Sequence, residues 1–327
     1  MSPRSPDLQL QNEYIGKLAT EIGTDPKYKH RWYMPAVVFF AIFHVIGIYG
    51  AYLTLTKMRL ITFAYGYTLG VLSGLSVTLG AHRLYAHKSY KASKAVQIVV
   101  NTLHVVAGQN SMLTWVRDHR LHHKYSDTDA DPHNSNRGFF FCHMGWLMMR
   151  KHPAVKAKLK TIDLSDLKEN NIVMFYYKYF IPLYILLVFA TSSIPVIYFG
   201  ESWMDTLITV YVFRYLLTLH FAWTVNSFAH LNGNRPYDKY LQPVENWWVS
   251  FLVMGEGWHN YHHAFPYDYK TGEYGVGPNV TAKVIDALAY VGHAWDLRTA
   301  PEESVLNRIQ KRGDGTHKLS LSKFTQN

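Results

Sequence analysis

The 327-residue sequence holds 18 histidines, and three groups of them are spaced as metal ligands. They are His82-Arg-Leu-Tyr-Ala-His87, His119-Arg-Leu-His122-His123 and His259-Asn-Tyr-His262-His263. Positions i, i+3 and i+4 fall on one face of a helix, so the second and third groups each turn three imidazoles to one side. In the first group the two histidines are five apart, about 140° around an ideal α-helix. Both reach one site only if the helix ends or bends between them. A lone histidine is more often solvated or hydrogen-bonded than a ligand, and His44, His104, His143, His220 and His293 are read that way. Eight neutral nitrogen donors are too many for one ion and suit two. Imidazole serves iron, zinc and copper alike, so ligand type leaves the metal open.

The elements that carry these groups are membrane spans. Met34–Leu55, Leu60–Ala81 and Tyr179–Gly200 carry no formal charge, and Thr206–Thr224 is apolar except for Arg214 and His220; about 20 such residues cross a bilayer core. The mean hydropathy of −0.10 averages these spans with a large polar remainder. Short turns at Lys57–Arg59 and Gly200–Asp205 pair the spans into two hairpins. All but three of the 33 Lys and Arg lie in residues 1–33, 82–178 and 225–327. The positive-inside rule therefore puts both termini and the long middle segment in the cytosol, with the three histidine groups on that face. A fifth apolar stretch, Ala95–Leu113, contains Gln97, Asn101, His104, Gln109 and Asn110. Crossing there would expose these groups to lipid, so it is read as an interfacial or partly buried helix. The expected architecture is all-α and integral to the membrane: four transmembrane helices in two hairpins under a cytosolic helical cap. Residues 1–30 form an N-terminal tail, 31–316 the membrane domain with its cap at 82–178 and 225–316, and 317–327 a C-terminal tail. The ends, 1–25 and 313–327, look loose.

The single cysteine, Cys142, excludes an intramolecular disulfide, and residues 1–30 contain no apolar stretch of the secretory kind. The formal charge of +10 fits a nucleic acid, a membrane surface or an anionic substrate. No nucleic-acid-binding motif accompanies it, so no nucleic-acid partner is expected; a lipid bilayer is.

Longer motifs surround the histidines: Gly80-Ala-His-Arg-Leu, Trp115-Val-Arg-Asp-His-Arg, Asp129-Ala-Asp-Pro-His-Asn, Arg137-Gly-Phe-Phe-Phe, Arg150-Lys-His-Pro and Gly255-Glu-Gly-Trp-His-Asn-Tyr-His-His. From about Arg31 to Thr316 the chain resembles the membrane-bound acyl-CoA desaturases of the stearoyl-CoA type, and its insect members in particular. The resemblance implies a di-iron centre of two Fe ions, with O2 as co-substrate, that removes two hydrogens from adjacent methylenes of a long-chain acyl-CoA. It adds a ninth ligand, His230, and a residue holding a metal through water, Asn226, to His82, His87, His119, His122, His123, His259, His262 and His263. It places no carboxylate on the metals and no catalytic residue beyond them. Carboxylates that could orient the ligand rings are Asp118, Asp127, Asp129, Asp131 and Glu256. The resemblance assigns Asn110, Arg117, Asp118, Arg150, Lys151 and Trp223 to acyl-CoA. It also implies cytochrome b5 with NADH-cytochrome b5 reductase as electron donors, and a place in the endoplasmic reticulum membrane.

Three departures stand out: Tyr85-Ala86 in the first histidine group, Phe228 where a small residue is usual, and Ser111 where Asp is common. Delta-9 is the expected double-bond position for stearoyl- or palmitoyl-CoA, with another position such as delta-11, or hydroxylation at the same centre, as alternatives. A metal carrier would need polar residues distributed through the spans, which are mostly apolar. The resemblance places the buried end of the acyl tunnel beside the second span. There Gly70 and Gly74 stand where larger residues are common. They either leave room for a longer or more deeply seated chain, or let two helices approach closely as a Gly-x-x-x-Gly pair.

Overall fold

The computed structural model describes residues 22–273 and 277–319, and the described residues are mostly helical. Two two-residue strands, Lys91–Ala92 and Ala294–Trp295, pair antiparallel. Among the described residues, four helices are long and apolar enough to cross a membrane: Met34–Thr56, Leu60–Ala86, Phe180–Phe199 and Trp203–Leu231. The first and third are mostly exposed, with 22% and 11% of their apolar windows buried against 39% for the second and fourth. The first and third therefore present the larger lipid-facing surface, while the second and fourth form the inner pair. The inner two, at 27 and 29 residues, are also longer than the roughly 20 that a bilayer core needs, and they run on toward the histidines.

Polar contacts tie the two hairpin tips together. Lys57 pairs with Asp205 at 2.7 Å, and Glu201 accepts from Thr62 Oγ1 at 2.7 Å and from the Arg59 amide at 3.2 Å. Both tips thus lie at one end of the bundle and the histidine groups at the other. The chain between the second and third spans starts and finishes on the same side. The stretch Ala95–Leu113 follows suit. It is two helices, Lys94–Ala107 and Met112–Tyr125, separated at Gly108, whose φ of +66° closes the first helix in a left-handed cap. Ile98 and Val99 are exposed, while Val100, Asn101, His104 and Val105 are buried. Ser111 caps the second helix by accepting from the Thr114 amide, a task that Ser and Asp share.

The inner spans meet around a buried Arg214. Its guanidinium donates to Ser73 Oγ of the second span and to the carbonyls of Val210 and Val106. The N-terminal segment departs from expectation. Of the stretch 1–25 expected to be loose, residues 23–25 are held: the Asp129 amide donates to the Gly23 carbonyl, the Asp25 amide to the Asp129 carboxylate, and Asn134 to Thr24. At the other end, Asp314 exchanges bonds with the Arg235 backbone, and His317 pairs with Glu273 at 2.9 Å. Residues 1–21 and 320–327 lie outside the described residues.

Close helix packing sits in the first span. A Cβ on Gly50 would stand 2.8 Å from the Ile208 carbonyl oxygen and 2.8 Å from Phe213 Cβ, whereas one on Gly66 meets only Val210 Cγ2 at 3.8 Å. Gly50→Ala should destabilise the protein by about 1–3 kcal/mol through overpacking. Gly66→Ala should stabilise it by up to about 1 kcal/mol through helix propensity. Thermal unfolding of the detergent-purified variants checks the pair, and equal melting temperatures would refute the packing assignment.

Candidate metal centre

Four elements bring the histidines together. His82 and His87 lie on the last turns of the second span, and His119, His122 and His123 on Met112–Tyr125. His230 is at the end of the fourth span, and His259, His262 and His263 are on the short helix His259–Ala264. The first group shows how histidines five apart share a site. Residues Ser76–Ala86 are wound as a π-helix, and the His87 amide donates to the His82 carbonyl at 3.0 Å. This i→i+5 winding stacks residues that an α-helix would turn apart, and the two rings come within 4.8 Å, centroid to centroid. A sharp turn aims the third group. Met254 and Gly255 have φ of +59° and +116°, and Asn279 packs so closely on Gly255 that a side chain there has no room.

The nitrogens fall into two groups that could each hold a metal ion. One comprises His82, His87, His119, His123 and His262; the other comprises His122, His230, His259 and His263; each has its ligand atoms within 4.8 Å of one another. Facing Nε2 atoms are 3.0 Å apart in His82–His262, 2.9 Å in His87–His119, 2.9 Å in His123–His262 and 3.3 Å in His122–His263. Nitrogens bound to one ion at about 2.1 Å stand roughly 3.0–3.4 Å apart. Hydrogen bonds alone do not satisfy the set. His262 Nε2 faces two other rings although it has one bonding direction, and the buried His230 Nε2 has no hydrogen-bond partner among the described residues. Burial, reinforced by neighbouring imidazoles, holds His87, His119, His123, His259, His262 and His263 well below the usual histidine range. They are neutral donors, as metal ligands must be.

Three of the five candidate carboxylates reach ligand rings on the nitrogen opposite the metal side. Glu256 lies 2.8 Å from His82 Nδ1, Asp131 2.8 Å from His122 Nδ1 and Asp127 3.1 Å from His230 Nδ1. Burial would push the Glu256 carboxyl up, but Arg83 and His82 overrule it and hold it at about 2. Asp127 and Asp131 are likewise held below the carboxylate range against burial, chiefly by His230 and His122 respectively. Asp131 in turn raises His122 despite burial. Asp118 and Asp129 go elsewhere: Asp118 to Arg117 and Lys151, Asp129 to Arg137. Two neighbours escaped the sequence reading. His133 places its Nδ1 3.6 Å from Asp131, and the fully buried Arg83 clamps Glu256 at 2.8 Å. Their only sequence signal was position beside a ligand or a carboxylate.

Among the residues assigned to acyl-CoA, Arg117, Asp118 and Lys151 form one linked group, with Arg117–Asp118 at 2.8 Å and Asp118–Lys151 at 2.6 Å. Arg150 is exposed, its guanidinium 6.0 Å from the Tyr33 ring centroid. Asn110 sits in the turn between the two helices with φ of +67°. Trp223 is buried among Tyr215, Leu219, Phe40, Phe43, Met144 and Leu147. Asn226 lies one turn before His230 on the fourth span. A Cβ on Gly70 would find Arg214 Cγ and Thr218 Cγ2 at 3.5 Å, and one on Gly74 only Met254 Cε at 3.0 Å. Their nearest neighbours are side chains, unlike the backbone oxygen against Gly50.

Comparison with known proteins agrees with this arrangement. The fatty acid desaturase family profile matches residues 58–270. An acyl-CoA delta-9 desaturase of Acheta domesticus is 46% identical over 285 residues, covering 86% of this chain and 79% of the relative. An acyl-CoA delta-11 desaturase of Choristoneura rosaceana is 43% identical over 311 residues, covering 95% and 92%. An acyl-CoA delta-12 desaturase, also of Acheta domesticus, is 46% identical over 283 residues, covering 86% and 79%. Joined to the four spans and the clustered histidines, these matches place the chain in the fatty acid desaturase family, among the membrane-bound acyl-CoA desaturases, which are oxidoreductases.

Proposed function

We propose that this desaturase acts on a long-chain saturated acyl-CoA, using two irons and O2. The observation that carries the reading is the division of nine imidazoles into a group of five and a group of four, with carboxylates behind three of them. His82, His87, His119, His123 and His262 hold one iron; His122, His230, His259 and His263 hold the other, with Asn226 contributing through water. Iron, when bound, supplies the oxygen chemistry that an unactivated methylene requires and that no side-chain acid or base can provide. The protein keeps the donors neutral, orients their rings and buries them away from bulk water.

Arg117, Lys151 and Arg150 take the anionic end of coenzyme A, with Asp118 holding the first two in place, and Asn110 and Trp223 flank the bound acyl-CoA. Electrons come from cytochrome b5 and its NADH-dependent reductase, and the basic surface suits an acidic donor. The protein sits in the endoplasmic reticulum membrane with both termini cytosolic. The methyl end of the chain reaches the side of the second span at Gly70 and Gly74, where the side chains of Arg214, Thr218 and Met254 border the glycines, and each extra methylene buried there contributes about 0.8 kcal/mol. This favours a longer chain, or a seat deeper than the one that gives a delta-9 product.

Expression in a desaturase-deficient yeast with mass spectrometry of the products tests the function: a loss of two hydrogens supports it, and a gain of oxygen indicates a hydroxylase. His122→Ala and His262→Ala should each abolish product while the protein still inserts. Asp131→Asn and Glu256→Gln should lower iron affinity about 10- to 100-fold, measured by iron retention against a chelator; unchanged retention would remove the orienting role.

For the wild-type protein, the apparent KM for acyl-CoA should rise with salt as exposed charges are screened. Arg150→Ala combined with Lys151→Ala should raise that KM at low salt and flatten its salt dependence. Gly70→Tyr and Gly74→Ile should shorten the preferred acyl chain. An unchanged chain-length profile in two active variants would make these glycines packing residues.

A further inference from the structure

Three histidines that spacing left isolated form a hydrogen-bonded chain across two spans and the cap. His44 Nδ1 lies 2.6 Å from the Phe40 carbonyl oxygen, and its Nε2 lies 3.1 Å from His220 Nε2. His220 Nδ1 lies 3.1 Å from His143 Nε2, and His143 Nδ1 lies 2.9 Å from Ser227 Oγ. Ser227 Oγ is in turn 3.0 Å from the Trp223 carbonyl oxygen. The arrangement differs from the metal centre in one decisive way. His220 uses both edges of its ring, so the three imidazoles form a line and do not converge on a common point.

Counting hydrogens gives the line its property. Both ends are carbonyl oxygens, which only accept, and there are five contacts between them. Three neutral imidazoles and one hydroxyl carry four hydrogens. Whatever the tautomers, one contact is left unfilled, and one added proton fills all five. Moving the unfilled contact along the line moves a proton from one end to the other. The imidazoles face one another, Ser227 and the rings of Phe40, Phe139 and Trp223; no carboxylate or guanidinium is among these contacts. Burial holds the His143 ring below the usual histidine range, which favours the four-hydrogen form at rest. Ionisable side chains inside membrane helices are costly and mark function by default, proton relays among them.

We propose that His44, His220, His143 and Ser227 form a proton relay serving the candidate iron centre. This rests on the oxygen-dependent reading above. Removing two hydrogens from the acyl chain while reducing O2 to two waters consumes two electrons and two further protons, which must enter from outside. The line delivers one proton at a time to Ser227, a fully buried residue adjoining Asn226 and three positions before His230 on the same helix.

The test uses full-length protein in lipid nanodiscs, with His220→Leu breaking the line at its centre and His44→Leu and Ser227→Ala breaking it at its ends. Each variant should keep its iron content and its KM for acyl-CoA, while kcat falls about 10- to 100-fold and declines more steeply with rising pH than in the parent. Unchanged kcat and pH profile, or a raised KM at unchanged kcat showing that the line merely seats Trp223, would overturn the relay. A second measurement is independent of acyl-CoA turnover. In zinc-loaded protein, the 15N resonances of His44, His220 and His143 should titrate together as one proton enters, and His220→Leu should uncouple His44 from His143. Three independent titrations would refute the chain even if desaturation is confirmed, and a joint titration would stand even if the oxygen chemistry is not.

Discussion

Nine imidazoles packed into one dry space, six of them held neutral by burial, suit the company of cations, and the rest of the architecture follows from that constraint. Their lone pairs converge at separations near 3 Å, where hydrogen bonding can satisfy only part of the set. The ligands must also be rigid, because an ion holds a geometry better than a floppy ring does. That rigidity comes from behind. Glu256, Asp131 and Asp127 fix three rings through Nδ1, and Arg83 fixes Glu256 in turn, donating also to the Tyr269 carbonyl. Because Arg83 directly follows His82, the same turn of helix carries a ligand and the clamp on that ligand's partner.

The unequal spans meet the same demand. A helix that only crossed the bilayer would end short of the site. The second and fourth helices continue beyond the length required for crossing, and each ends in candidate ligands. The outer helices, with little to do beyond facing lipid, are shorter and carry long exposed apolar faces. Polar groups buried between the inner helices are satisfied locally. Arg214 binds two carbonyls and Ser73, and so cross-links both inner spans to the interfacial helix. Removing its partners would leave an unpaired charge in a low-dielectric setting, a larger penalty than the bonds are worth in water.

Legibility in the sequence followed the range of the interaction. The two His-x-x-His-His groups were readable because helix geometry alone puts three rings on one face. His82 and His87 were ambiguous because α-helical winding separates them, and nothing local announces i→i+5 bonding. His230 stands alone in its neighbourhood, so its place beside the others came only from the family resemblance. The five candidate carboxylates were chemically equivalent as text; long-range partners sorted them, Arg137 for Asp129 and Lys151 for Asp118. His44, His143 and His220 looked isolated because each contact joins residues 77 or 176 positions apart. The anchored N-terminal segment was missed for the same reason, since Thr24 meets Asn134 at a separation of 110.

Double-bond position is a length measured along the acyl chain from its thioester to the metal. Under the proposed roles, the helix Met112–Tyr125 carries both ends of that ruler, because Arg117 and Asp118 immediately precede His119. A single rigid helix therefore fixes the straight-line distance from headgroup to iron. Relatives that place the bond at delta-9, delta-11 and delta-12 resemble this chain to nearly the same degree, so overall similarity does not set the position. What remains free is the path: how many methylenes fold between two fixed points, and how far the methyl end extends beyond them. The first depends on side chains lining the approach to the histidines, such as Trp223, and the second on the floor beside Gly70, Gly74, Thr218 and Met254. Under the proposed roles the metal centre decides that a bond is oxidised, and the walls decide which bond is there.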